Sequence, residues 1–227
     1  MKLCPNEVAL LAVNVFESLQ KPTELAALLS MLEDAVTDTI IEIGIGKGGT
    51  SWALSKLPNL KLIIGIDLPG GPWGGGPKEE SMRYVAEMGT AGYHLILGNS
   101  MNSECFNEVA AKVKDRSVDF LFIDGDHSYN GVKTDFLTYS PLVRDGGLIA
   151  FHDICPHDKE SACEVKRFWD ELKSTLPPER YVEFIDAPTM WGGIGVLKWK
   201  SSERSESLRE QSDHDKQKQS TEPKEVN

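Results

Sequence analysis

Five short apolar runs constrain this chain more than any other feature: "TIIEIG" (39–44), "LKLIIGID" (60–67), "YHLILG" (93–98), "VDFLFID" (118–124) and "GGLIAFHD" (146–153). Each is separated from the next by a stretch with helical spacing: "TSWALSKL", "EESMRYVAEMG", the set Phe106, Val109, Ala110 and Val113, and the set Val132, Phe136, Tyr139 and Val143. Apolar runs this short read as strands buried on both faces, and their alternation with helices predicts a parallel sheet covered on both sides. Two helices are expected before the first strand, within residues 6–35. Their apolar positions are Val8, Leu11, Ala12, Val15, Phe16 and Leu19, then Leu25, Leu28, Leu29 and Leu32. Ala162, Val165, Trp169, Leu172 and Leu176 mark a late helix. "YVEFID" and "GGIGVLKW" follow without a helix between them, which predicts one reversed strand at an edge.

These elements fill residues 1–200 as one domain. From Ser201 to Asn227 the chain has almost no large apolar residues, too few to offset the entropy of ordering it, and a disordered polar tail is expected. The net charge of -11 argues against nucleic acid or an anionic membrane as partner. The run "VALLAV" (8–13) is too short for a signal segment or a bilayer span. Cys4, Cys105, Cys155 and Cys163 form no CxxC pair, so reduced thiols and a cytoplasmic location are expected.

In such a sheet, ligands bind beyond the carboxyl ends of the strands. The first strand runs into "EIGIGKGG", where Gly44, Gly46 and Gly49 satisfy GxGxxG and Glu42 stands two positions before the first glycine. The second strand ends at Asp67, placed to accept hydrogen bonds from ribose hydroxyls. A glycine turn between strand and helix, followed by an acid at the next strand end, points to an adenosine-containing ligand. The fourth and fifth strands end in "IDGDH" and "FHD". These carboxylates and imidazoles need partners, because burying an unpaired charge is costly.

"IIEIGIGKGGTSWALS" with "IIGIDLP" resembles class I S-adenosylmethionine-dependent methyltransferases. "FLFIDGDHSYNGVKTDF" with "GGLIAFHDI" narrows the resemblance to the metal-dependent O-methyltransferase branch, of the macrocin, catechol and cephalosporin-hydroxylase-like kind. It covers roughly residues 20 to 199. It implies a Rossmann-like, doubly wound, mostly parallel seven-stranded sheet with a reversed edge strand and helices on both faces. The implied activity is methyl transfer from S-adenosylmethionine to a hydroxyl of a small-molecule or sugar acceptor, with metal assistance.

The resemblance also implies roles for residues. Glu42, Gly44, Gly46 and Gly48 would hold the methionine part of the cofactor, Asp67 the ribose, and Asn99 and Ser100 of "LGNS" the adenine, with Asp124 beside them. Asn99 stands where the family often has an acid. Asp124, His152 and Asp153 would hold a divalent cation. His152 replaces an acid common in the family, so Mg²⁺ is the first expectation and Mn²⁺, Fe²⁺ or Zn²⁺ the alternatives. Asp126 and His127, just after Asp124, are the candidate catalytic bases, His127 having the better intrinsic pKa. "PGGPWGGGP" (69–77) with Trp73 is a candidate lid, and the loop of Met190 and Trp191 a candidate wall. A homodimer is compatible with this reading. A metal-dependent hydrolase using Asp124, Asp126, His127, His152, Asp153 and His157, and a nonenzymatic cofactor-binding protein, are the alternatives.

Overall fold

The computed structural model describes residues 2–70, 85, 91–114, 116–158, 160–186 and 190–200. The elements among them are α1 (Pro5–Asn14), α2 (Pro22–Asp34), β1 (Thr39–Ile43), α3 (Gly49–Leu54), β2 (Leu62–Asp67), β3 (Gly92–Leu97), α4 (Ser103–Lys112), β4 (Val118–Ile123), α5 (Tyr129–Tyr139), β5 (Val143–His152), α6 (Val165–Ser174), β6 (Tyr181–Phe184) and β7 (Ile194–Lys198). The helix expected over 79–89, the lid around Trp73 and the tail from Ser201 lie outside the described residues, apart from Pro69, Gly70 and Val85.

The strands form one sheet in the order β3-β2-β1-β4-β5-β7-β6. The first five pair in parallel, while β7 runs antiparallel to both β5 and β6. The reversed strand is thus β7, with β6 outside it.

Successive strand residues point to opposite faces, and the two sides bury different sets. Ile40, Ile63, Phe120, Phe122, Leu148 and Ala150 pack with Leu25, Leu28 and Leu32 of α2 and Trp52 of α3. Ile41, Ile64, Leu121, Ile149 and Phe151 pack with Val109 of α4, Phe136 of α5 and Trp169 of α6. Each such buried side chain contributes about 1.5–3 kcal/mol, so both layers are anchored by many independent contacts.

Strand order reverses between β1 and β4, which opens a crevice above their carboxyl ends. The Asp124 amide donates to the Ile43 carbonyl at 2.8 Å, and so ties the two strand ends at that crevice.

Three of the helix boundaries that differ from the sequence reading have a visible local cause. α1 stops at Asn14 rather than reaching Leu19, which is 52% exposed. Phe16 leaves the helix to stack on Trp52 of α3, with ring centroids 4.0 Å apart, and Glu17 takes a left-handed φ of 56°. α5 ends at Tyr139, where a 3₁₀ turn containing Pro141 intervenes. Val143 therefore opens β5 instead of closing the helix. Ala162 lies ahead of α6 with φ 52°, a left-handed conformation no helix residue adopts.

Candidate active site

The turn after β1 is built by close approach. Gly44 has φ 84°, and a Cβ there would sit 1.9 Å from the Asp124 carbonyl oxygen. Only glycine lets the ends of β1 and β4 meet this way. Gly46 and Gly48 also have positive φ, and Gly48 leads into α3. Asp67 organises the turn: one oxygen, Oδ2, accepts from the amides of Ile45 at 3.0 Å and Gly46 at 2.7 Å.

Glu42 is fully buried in β1, and its Oε2 accepts from the Ser51 hydroxyl of α3, while Oε1 has no protein partner. Burial pushes its carboxyl up to about 8, with Ser51 opposing and the nearby Asp124 and Asp67 charges adding to the rise.

After β3, Asn99 Oδ1 accepts from the Met101 amide at 2.9 Å, which shapes the loop. The Ser100 hydroxyl donates to Asp135 Oδ1 of α5 at 2.7 Å. Asp135 is fully buried, and burial raises its carboxyl to about 6.

Above β4 and β5, two carboxylates and two imidazoles converge. Asp124 Oδ1 lies 3.2 Å from His152 Nδ1 and 3.3 Å from His127 Nε2. Asp153 Oδ2 lies 3.4 Å from both His152 Nδ1 and His127 Nδ1. The outer oxygen of each carboxylate is held by other groups. Gln20 Nε2 donates to Asp124 Oδ2 at 2.8 Å. Asp153 Oδ1 takes the Gly192 amide at 2.9 Å and lies 3.0 Å from His157 Nε2. Each carboxylate is therefore oriented by outer partners and presents one oxygen to a common point, the arrangement that supports metal ligands. Asp153 has a left-handed φ of 63°, a conformation that costs about 1–2 kcal/mol and has to be held by its surroundings.

The charges here are coupled. Burial alone would disfavour ionisation of every member. The opposing partners win: His127 is pushed up to about 11 and His152 to about 10, while both Asp124 and Asp153 are held below the usual carboxylate range. Without a cation, imidazolium rings thus neutralise the carboxylates. Asp124, His152 and Asp153 fit a divalent cation: each offers one ligand atom, two carboxylate oxygens and one imidazole nitrogen in all, and the three atoms lie within 4.8 Å of one another. Oxygen donors suit Mg²⁺ or Mn²⁺, and the imidazole widens the set to Fe²⁺ and Zn²⁺.

The fold brings Asp124, His127, His152 and Asp153 into one cluster and places Asp67 on the glycine turn. Asp126 is directed elsewhere. It is exposed, accepts from the Ser128 amide at 2.8 Å, and lies over Gly131 at the start of α5. Sequence reasoning missed Gln20. It lies where apolar spacing extends the first helix, and nothing local marks it as a partner of a residue 104 positions away.

A family model described as Methyltransferase domain matches residues 41–154. An uncharacterized protein of Sinorhizobium fredii is 31% identical over 115 residues, covering 47% of this chain and 12% of that protein. An uncharacterized protein of Acanthamoeba polyphaga mimivirus is 31% identical over 120 residues, covering 51% of each. The chain thus spans about half, or much less, of the length of these curated relatives. Among solved structures, the MycE methyltransferase of the mycinamycin biosynthetic pathway, in complex with Mg, SAH and mycinamycin VI, aligns with a TM-score of 0.57 at 17% identity, over 87% of this chain and 54% of that one. An O-methyltransferase from Bacillus cereus in complex with SAH aligns with a TM-score of 0.55 at 16% identity, over 86% and 90%. At these identities the likeness establishes the fold.

Proposed function

The chain belongs to the Methyltransferase domain family, whose model spans half of it from β1 to just past Asp153, and on that premise we propose that it transfers a methyl group from S-adenosylmethionine to a hydroxyl of a small-molecule or sugar acceptor, with help from a divalent cation. The observation that carries this reading is the juxtaposition, across the β1/β4 crevice, of the Asp67-braced glycine turn and the Asp124–His152–Asp153 donor set. MycE, with Mg and SAH together, and the Bacillus cereus enzyme with SAH share the fold and support the choice of cofactor and cation.

In the proposed reaction the acceptor oxygen attacks the sulfonium methyl in line. The C–O bond forms, the C–S bond breaks with its electron pair passing to sulfur, and the hydroxyl proton leaves. Glu42, Gly44, Gly46 and Gly48 line the methionine end, Asp67 serves the ribose, and Asn99 and Ser100 flank the adenine. A cation held by Asp124, His152 and Asp153 would acidify and orient the acceptor hydroxyl. His127, whose ring lies between Asp124 and Asp153, is the proposed proton acceptor in its neutral form, once a bound cation rather than the imidazolium charge neutralises those carboxylates; Asp126, the other candidate of the loop, is exposed and turned to the Ser128 amide. Gln20 fixes which Asp124 oxygen faces the cluster. The proposed partner is a small hydroxylated acceptor rather than nucleic acid or membrane, and a homodimer is compatible with it.

The test is a screen of methyl transfer from labelled S-adenosylmethionine to hydroxylated acceptors, with and without chelator. Metal-dependent O-methylation is expected. Binding of NAD in preference to S-adenosylmethionine would overturn the reading.

A further inference from the structure

Beside the Asp124–His152–Asp153 set lies a second group of ligand atoms. His127, Asp153 and Cys163 each offer one donor, and the three atoms lie within 4.8 Å of one another. The two groups share Asp153 but differ in chemistry. The first is oxygen-rich and deep, with His152 only 3% exposed. The second joins nitrogen, oxygen and sulfur and opens outward: the His127 side chain is 27% exposed and Cys163 is half-buried.

The second group is assembled by contacts that lock two segments together. The Glu164 amide donates to the His127 carbonyl at 2.8 Å, and the Tyr129 amide donates to the Glu164 carboxylate at 3.3 Å. Ala162, left-handed at φ 52°, sets the chain direction just before Cys163, whose sulfur lies within 4.8 Å of a His127 ring nitrogen. His127 Nδ1 and Asp153 Oδ2, 3.4 Å apart, are separated by about the edge of a tetrahedron with bonds of ~2.1 Å, the usual geometry of zinc with nitrogen and oxygen. A thiolate as third ligand excludes Mg²⁺ and favours a borderline ion of the Zn²⁺ or Co²⁺ class, with water completing the shell.

We infer that His127, Asp153 and the Cys163 thiolate form a second, softer cation site whose occupation inhibits the enzyme. Binding displaces the thiol proton and one proton of the His127 imidazolium to solvent and forms metal–sulfur and metal–nitrogen bonds, with no change in oxidation state. The inhibitory consequence rests on the proposed function: the ion would take the nitrogen lone pair of the proposed proton acceptor and draw Asp153 away from the inner cation. Cys163 lies outside the family-matched segment 41–154, in the connection between β5 and α6.

The experiment adds Co²⁺ to the metal-free chain and reads the ultraviolet absorption of cobalt–thiolate charge transfer. The band is expected in the natural chain and absent in Cys163→Ser. Zn²⁺ affinity in that variant should fall at least about tenfold, with Mg²⁺ affinity unchanged. Zn²⁺ should also protect Cys163 of the natural chain from alkylation, read by peptide mass spectrometry, a measurement that needs no variant to fold. Zn²⁺ should inhibit methyl transfer by the natural chain at concentrations that leave Cys163→Ser active. Bound Co²⁺ without a thiolate band, a band that survives Cys163→Ser, or unimpeded alkylation under Zn²⁺ would each overturn the site. A thiolate band with no inhibition would leave the site standing and remove its regulatory role. A chain that binds Co²⁺ through Cys163 but never binds S-adenosylmethionine would overturn the proposed function instead.

Discussion

Gln20 and Asp124, 104 residues apart, meet through a hydrogen bond of 2.8 Å between the Gln20 amide nitrogen and Asp124 Oδ2. Gln20 is 2% exposed, and its own Oε1 has no protein partner. Its segment is fastened to the glycine turn by Ser18, whose hydroxyl lies 2.9 Å from that of Thr50 and whose amide nitrogen would be 2.4 Å from a Cβ on Gly49. Gln20 thus connects the glycine turn to the carboxylate cluster.

Gln20→Leu should leave Asp124 Oδ2 unsatisfied and cost about 1–3 kcal/mol of stability. Gln20→Glu should cost at least as much, because it sets two carboxylates against each other. Denaturant unfolding of both variants, with metal content measured on the folded fraction, checks this. Unchanged stability and unchanged metal in both would show that the contact contributes nothing.

Glu42 gives a pH signature. Its folded-state value of about 8 lies above the ordinary carboxylate value, so between the two the folded chain holds a proton that the unfolded chain has lost. Stability from this group is therefore fully present at acid pH and falls as pH rises to about 8. Glu42→Gln should flatten that slope, gaining on the natural chain by about 1 kcal/mol per pH unit across the window. Parallel slopes for the two proteins in unfolding measured from pH 5 to about 8.5 would refute the assignment.

Two glycines of the turn should respond differently. Gly44→Ala drives a Cβ into the Asp124 carbonyl at positive φ and is expected to cost about 2–5 kcal/mol, the sum of steric overlap and left-handed strain. A Cβ on Gly46 meets nothing within 4 Å, so Gly46→Ala should cost only the strain, about 1–2 kcal/mol. Thermal unfolding of the pair decides the order; equal losses would mean that the close approach of β1 and β4 relaxes freely.

Asp67→Ala removes the acceptor of the Ile45 and Gly46 amides and loosens the turn. Calorimetry should show weaker binding of both S-adenosylmethionine and its demethylated product. If affinity for both survives intact, the adenosine site lies elsewhere.

Chelation should abolish methyl transfer while sparing most cofactor affinity, since the glycine turn and Asp67 are separate from the Asp124–His152–Asp153 set. Asp124→Asn and Asp153→Asn should each lose metal and turnover together. Mass spectrometry of metal content beside single-turnover rates tests this, and full activity in excess chelator with no metal present would leave the cluster as a charged rim.

The sequence by itself determined the architecture. Apolar runs such as "VDFLFID" bury both faces whatever surrounds them, and alternation with helices leaves few topologies open. It also determined that Asp67, Asp124, His152 and Asp153 stand at strand ends, because strand polarity alone sends them there. Other placements depended on tertiary contacts. Phe16 leaves the periodic helix to stack on Trp52, and in doing so carries Gln20 to Asp124. Asp126 and His127 are neighbours in sequence, yet His127 turns into the cluster while Asp126 turns to Ser128 and Gly131. Cys163 comes close to His127 where Glu164 docks on the His127 loop. Local periodicity records which face of an element is buried. Hydrogen bonds between loops distant in sequence leave no periodic trace, so the orientation of each carboxylate and the companions of each imidazole were decided by the packed structure.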